Sequence, residues 1–417
     1  MARRWREQDP VFRWNFVMGF IHGVFFRAGM AFSEPNTVLP LFFSGYTSSR
    51  LVIGLFAAIF QLAGLLPQLF AAHKIEKLCK RKPVLVVSIV VRMVCWGIVG
   101  VITYAFGRQH PASILVIFIF LLALFNVAGA FAVIPFYDVI GKTITPDWRG
   151  RFWAYRQFVG GLLAIGAATV VHRILGNPNI PFPKNYGILF FLSFVSLGFA
   201  YLGLGSVKEP ERTECPEPAP FTHFLRQAGQ TLRRQTVFAR AIAVELLAGS
   251  LFLSLPFYVV YARESLGSSA SVAGTFVGIQ TAAAILSNLF WGRFNDRKGS
   301  RRVIQVALLA DVLIPVVALL ARHEWTFYVV FALIGFYTVG ASIGFSNFML
   351  DVAPDAERPR YVSLRGSLTA PVALYPVLGG LLMDLFGFQL VLALVAGLTL
   401  IGLALAAGLR QPATHAE

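Results

Sequence analysis

Arg27 and Glu34 stand seven residues apart in an apolar stretch. On a helix that spacing is two turns along one face and roughly 10 Å along the axis. Three kinds of chemistry suit the pair. A carboxyl such as Glu34 binds and releases a proton when burial raises its pKa toward the working range. A guanidinium such as Arg27 grips a carboxylate or phosphate. Alternatively the two are simply an internal ion pair, or Glu34 reaches interfacial water. Glu245, in a second apolar run, is another candidate proton or solute group. Arg92 and Asp311 form a further set, each about 15 Å along its helix from a basic cluster. A network or structural role suits these two best. In hydrocarbon an ionisable group costs at least about 2.5–3.5 kcal/mol, so each one needs a physical reason.

Uncharged polar residues are weaker candidates. Asn126, Gln61, Gln157, Gln280, Asn288 and Asn347, with Tyr258, Tyr337 and Tyr375, suit a cavity lining. Membrane helices also use such groups as interhelical glue at about 0.6 kcal/mol each. His22 does not share the Arg27–Glu34 face and reads as packing. Cys79, Cys95 and Cys215 make an odd count that argues against a disulfide framework. No metal-spaced His/Cys cluster, no Walker loop and no Asp-rich pair of the membrane prenyl-transfer kind is present. The sequence therefore points away from an enzyme, a metal and a cofactor.

The elements that must carry these residues are membrane helices. Of 417 residues 57% are apolar and 13% charged, against roughly a quarter charged in soluble proteins. About 20 apolar residues cross the hydrocarbon core as a helix. Twelve such runs are expected: 12–43, 51–72, 83–106, 112–140, 152–173 and 186–206, then 237–262, 270–292, 303–321, 325–350, 362–386 and 388–409 (spans 1 to 12). The alternating strands of a membrane barrel are absent. With the amino end inside, 28 Lys/Arg fall in inner segments and six in outer loops: Arg50, Arg108, Arg173, Lys184, Arg263 and Arg322. That split follows the positive-inside rule and predicts both termini in the cytoplasm. It also accounts for the net charge of +16 without nucleic acid. Met1-Ala-Arg-Arg-Trp-Arg lacks the apolar core and cleavage site of a signal peptide, so a retained amino end is expected.

Residues 207–236 gather prolines and charge and read as a linker between six-span halves, 1–206 and 237–417. The basic part of that linker, Arg226 to Arg234, also suits the surface of an anionic membrane. The halves repeat. Pro146-Asp-Trp-Arg-Gly-Arg-Phe-Trp-Ala-Tyr-Arg156 after span 4 matches Pro354-Asp-Ala-Glu-Arg-Pro-Arg-Tyr-Val-Ser-Leu-Arg365 after span 10, Arg151 and Arg156 falling 209 residues before Arg360 and Arg365. Glu76-Lys-Leu-Cys-Lys-Arg-Lys82 lies against Asp296-Arg-Lys-Gly-Ser-Arg-Arg302 at an offset of 220. Parallel six-span repeats are a transporter architecture.

Gly292-Arg-Phe-Asn-Asp-Arg-Lys-Gly-Ser-Arg-Arg302 closely resembles the loop signature of the major facilitator superfamily, Gly-x-x-x-Asp-Arg-x-Gly-x-Arg-Arg. In that family the stronger copy follows span 2; here it follows span 8, and the span 2–3 copy keeps only its charge order. Pro376-Val-Leu-Gly-Gly-Leu-Leu-Met-Asp-Leu-Phe-Gly387 in span 11 also looks like this family. The resemblance covers the whole chain. It implies an all-α integral membrane protein of two pseudo-symmetric six-helix bundles, with spans 1 and 7 flanking a central cavity. It also implies alternating access, latched by Glu76 with Arg365 and by Asp296, in its Asp296-Arg297 pair, with Arg156. Asp138 and Asp351 are expected as further partners of the loop arginines.

The expected function is secondary transport, proton-coupled export of a small amphipathic or lipophilic solute. Span 5 lacks the Gly-Pro motif of the family's exporters, Gly160-Gly-Leu-Leu-Ala-Ile-Gly166 having the glycines without the proline. Uptake or exchange of a small organic anion is the alternative, and a sensor or lipid-handling protein on the same scaffold is a third class. The expected partners are a small-molecule solute, the bilayer and protons. The expected location is a bacterial-type inner membrane, and a monomer suffices because one chain holds both bundles.

Overall fold

In the computed structural model the described residues are 8–76, 80–210, 235–354 and 358–409; of 65–76, 359, 360 and 363 the backbone alone is described. Ten helices among them are long and apolar enough to cross a membrane. One, Val272–Leu319, holds spans 8 and 9, because Gly299 breaks it at φ 76°, ψ 164°. Only glycine adopts that backbone without strain. With Arg50–Glu76 as span 2, the count is the expected twelve. The break falls later than expected: residues 293–298, read as loop, stay helical, since Arg, Lys and Asp tolerate a helix and nothing before Gly299 stops it.

Three spans are interrupted. Span 1 runs Pro10–Phe32, unwinds through 33–37, and resumes at Val38–Ser44. Pro35 lacks an N–H, so the chain turns instead, Glu34 C=O accepting from Thr37 N–H at 3.3 Å and Leu39 N–H at 3.1 Å. Span 7 runs Thr236–Ala248, tightens into 3-10 turns at Gly249–Leu253 and Leu255–Phe257, and ends as Tyr258–Leu266. Span 11 does likewise at Ala370–Leu374, beside Pro371.

By its contacts the chain divides into two compact units. Unit 1 holds residues 1–46, 59–218 and 269–278; unit 2 holds 47–58, 219–268 and 279–417. The first turns of span 2 thus belong with unit 2, and those of span 8 with unit 1. In unit 1, span 1 packs on spans 5 and 6, and span 3 on spans 4 and 6. Its core is aromatic: Phe42 meets Phe118 at 5.3 Å and Phe190 at 5.1 Å, and Trp96 meets Phe190 at 5.5 Å. Tyr46, in the 1–2 loop, donates to Gly107 C=O at 2.9 Å, and burial pushes its phenol up to about 12, so it remains a donor. In unit 2, span 7 packs on span 12, around Val244, Ala248, Ile304, Leu308, Phe345 and Phe348. Val87, Leu202, Leu286 and Leu320 are each more than 60% exposed, which suits a lipid solvent and not water.

Candidate functional site

Spans 1 and 5 exchange an arginine for a glycine in both directions. Arg27 of span 1 lies over Gly160 of span 5, where a Cβ would sit 2.8 Å from Arg27 Cδ. Arg156 of span 5 lies over Gly23 of span 1, where a Cβ would meet Arg156 Cγ at 2.8 Å and Nε closer still. Each helix therefore offers a glycine and an arginine four residues apart, one turn on one face. Arg92 of span 3 is seated the same way over Gly129 of span 4, with 3.1 Å from a Cβ there to its Nη1. Missing side chains make the troughs in which the stem of Arg27 and the guanidinium groups of Arg92 and Arg156 lie.

Aromatic faces and one histidine complete the seats. Arg156 Nη2 donates to His22 Nδ1 at 3.1 Å, and its guanidinium carbon lies 4.9 Å from Trp153, 5.1 Å from Phe152 and 5.2 Å from Phe136. A guanidinium has donors only, so His22 Nδ1 is the acceptor. His22, expected as packing, is thus the polar partner of Arg156; its own contact crosses from span 1 to span 5, which helical spacing along span 1 cannot reveal. Arg92 lies 4.2 Å from the Phe125 ring and 5.5 Å from Phe26. Among the described residues none of the three arginines has a carboxylate partner, and Arg156 Nη1 and Arg92 Nε are buried without a hydrogen bond. Arg27 is exposed.

The internal Arg27–Glu34 pair is not formed. Glu34 Oε1 accepts from Asn36 Nδ2 at 3.3 Å, because the break after Phe32 turns the acid away from the helical face it would share with Arg27. Asn126 Nδ2 donates to its own helix, to Leu122 C=O at 2.8 Å, the role of glue within span 4.

In unit 2, Glu245 of span 7 holds Arg365 in a fork. Nε reaches Oε2 at 2.8 Å, Nη2 reaches Oε1 at 2.7 Å, and Nη1 donates to Ser346 Oγ at 3.2 Å. Arg365 is therefore engaged inside its own unit, and the side chain of Glu76, its expected partner, lies outside the described residues. Asp311 of span 9 is fully buried, and neither of its oxygens has a hydrogen-bond partner among the described residues. Arg92 and Asp311 each pack within their own unit, and neither is ion-paired among the described residues.

Of the loop-end acids, Asp138 meets a loop arginine as expected, whereas Asp351, among the described residues, does not. Asp138 of span 4 bridges Arg81 Nη1 at 3.1 Å and Lys142 Nζ at 2.6 Å, and Lys142 reaches Glu209 Oε1 at 2.7 Å. At the matching place in unit 2, Asp351 accepts not from an arginine but from Ser300 Oγ, at 2.5 Å. The break at Gly299 delivers the serine there, one residue before Arg301. Asp296 and Arg297 are exposed on the last helical turn of span 8. Spacing missed a cluster at the other end of unit 2. Asp384 of span 11 accepts from Arg50 N–H and Leu51 N–H, both at 3.0 Å, and from Ser49 Oγ at 3.1 Å, while Arg50 Nη2 meets Glu264 Oε2 at 3.1 Å. An Asp near a helix end beside Gly-Gly was the available signal, since glycines mark close helix crossings.

Residues 241–417 match the family model of the Major Facilitator Superfamily. The solved structure of the nucleoside transporter NupG superposes with a TM-score of 0.69 at 14% identity, over 96% of this chain and 99% of that one. Over residues 241–417 this chain is similar to that superfamily, and over nearly its whole length it shares the fold of this solved transporter. A bacterial homologue of the iron transporter ferroportin gives 0.71 at 13% identity, over 96% and 99%. The human organic anion transporter MFSD10 (TETRAN) gives 0.64 at 15%, over 96% and 100%. YqjV of Bacillus subtilis, named as an uncharacterized MFS-type transporter, is 28% identical over 145 residues, 33% of this chain. The match spans about a third of that relative, 35% of its length. At these identities the superfamily likeness carries the fold and not the solute.

Proposed function

We propose that this chain is a secondary transporter working by alternating access, and that its solute is a small organic anion. Arg27, Arg92 and Arg156 carry this reading: three arginine side chains in the spans of unit 1, each lying over a glycine, with no carboxylate partner among the described residues. Positive charge in hydrocarbon calls for a counter-charge, and a carboxylate or phosphate on the solute supplies one. An exporter of lipophilic cations needs unengaged acids instead. Of the membrane acids, Glu245 is held by Arg365, Glu34 takes the Asn36 amide, and Asp311, though without a hydrogen-bond partner among the described residues, is fully buried and not open to a solute. The anion reading is therefore preferred over export of a lipophilic solute.

Proton coupling is the second part of the proposal, with Asp311 as its carrier. A fully buried carboxyl with no partner is stable only in its neutral form, so charging it demands a change of surroundings. The distribution of Lys and Arg supports cytoplasmic termini, and the likeness to a bacterial relative supports a bacterial-type inner membrane. Asp296 and Arg297, being exposed, suit a loop latch that closes in another state.

The test is reconstitution of wild type, Arg27→Ala and Arg92→Gln in liposomes carrying an internal pH dye, screened with pooled organic anions and pooled lipophilic cations. Anion-dependent flux in wild type that falls about tenfold or more in either variant is the expected result. Flux driven by cations and unchanged in both variants overturns it.

A further inference from the structure

The surface of unit 1 carries a basic cavity at the start of span 3. A cavity of about 660 Å³ is lined by Lys80, Lys82 and Lys208 on one side and by Pro83, Val86 and Val87 on the other. Its floor is built rather than accidental. Asn15, itself buried, clamps Lys208 in both directions, Nδ2 donating to Lys208 C=O at 3.0 Å and Oδ1 accepting from Lys208 N–H at 2.8 Å. Trp14 Nε1 ties the preceding turn through Ser206 C=O at 2.9 Å.

One acid also lines the cavity, Glu209, and both of its oxygens are occupied. Oε1 takes Lys142 Nζ at 2.7 Å, and Oε2 takes Lys82 N–H at 3.1 Å. The ammonium groups of Lys82 and Lys208 have no carboxylate partner among the described residues. The cavity therefore presents net positive charge beside apolar walls.

From this cavity a lane of exposed apolar side chains runs down span 3: Val87, Val90, Val94, Ile98 and Val101, all between 41% and 64% exposed. Their spacing of three or four residues puts them on one helical face, over roughly 20 Å. Basic groups at one end of a long apolar lane match a molecule with an anionic head and a hydrocarbon tail.

We propose that this cavity binds the headgroup of an anionic glycerophospholipid, its phosphate between Lys82 and Lys208 and an acyl chain along the Val87–Val101 face. The site is separate from the arginine seats and does not rest on the transport reading. The test uses the full chain in neutral phosphatidylcholine nanodiscs doped with phosphatidylglycerol, with retained lipid counted by native mass spectrometry and stability followed by thermal unfolding. Phosphatidylglycerol is expected to be retained over phosphatidylcholine and to raise the unfolding temperature. Lys82→Gln with Lys208→Gln is expected to cut retention by roughly ten- to thirty-fold while leaving stability in pure phosphatidylcholine unchanged. Arg108→Gln with Lys298→Gln, which removes the same charge elsewhere, leaves retention as in wild type.

Equal retention of the two lipids by wild type overturns the proposal without any variant. So does a double variant, folded in phosphatidylcholine, that still retains phosphatidylglycerol. Inorganic phosphate that stabilises wild type as much as the lipid does also overturns it, in favour of a free-anion site.

Discussion

Arg156 lies across Gly23 so closely that any side chain at position 23 would displace its guanidinium. Gly23→Ala is expected to destabilise by about 1–3 kcal/mol, as overpacking does, and to reduce transport by moving Arg156 off His22. Gly166→Ala, on the same span 5 with nothing within 4 Å of the new Cβ, is the control. It is expected to be neutral or to stabilise by roughly 0.5–1 kcal/mol. Thermal unfolding and solute flux on both proteins check the contrast. Equal behaviour of the two variants counts against the seat.

Asp311→Asn replaces a partnerless carboxyl with a neutral group of the same shape. The unfolding temperature is expected to stay within about 2 °C of wild type. Exchange of solute for solute should persist, because it needs no net proton movement, while flux driven by a pH gradient should vanish. A variant that keeps gradient-driven flux removes Asp311 from proton coupling.

Asp384 caps the first turn of span 2, so Asp384→Ala is expected to lose about 1–2 kcal/mol. Asp384→Asn keeps an acceptor oxygen and should lose less. The neighbouring Arg50–Glu264 pair is partly exposed, and Glu264→Ala should cost less than about 1 kcal/mol. Unfolding temperatures give the order directly; a Glu264→Ala loss as large as that of Asp384→Ala contradicts it.

Glu245 and Arg365 are about four-fifths buried, at 19% and 22% exposure. Removing one leaves the other charge unmatched, a loss of about 3 kcal/mol or more, whereas replacing both with apolar side chains is close to neutral. Glu245→Met and Arg365→Met are therefore each expected to unfold earlier than the double variant. Additive losses in a thermal cycle would show that the fork contributes nothing as a pair.

Much of this was readable in the residues. Hydrocarbon length sets the number of spans, and Pro35 beside Glu34 marks the break in span 1, because a proline removes one helical N–H wherever it falls. The repeat of loop sequences announces two halves. Spacing along one helix also identifies Arg27, Arg92 and Asp311 as charges needing a reason. It could not say what answers them. Gly23, Gly129 and Gly160 look like ordinary membrane glycines until an arginine from a neighbouring span is seen lying on each.

The solvent, the twelve spans, the repeat and the set of membrane charges all follow from composition and local periodicity. The pairings come from helix packing: His22 with Arg156, Glu245 with Arg365, Asp138 with Arg81, Asp384 with the start of span 2. Each joins residues far apart in the chain, and which side chains meet depends on how helices cross and rotate against one another. One turn of a helix carries a charge by about 5 Å and 360°, so a small rotation decides whether it meets an acid, an aromatic face or the empty surface above a glycine.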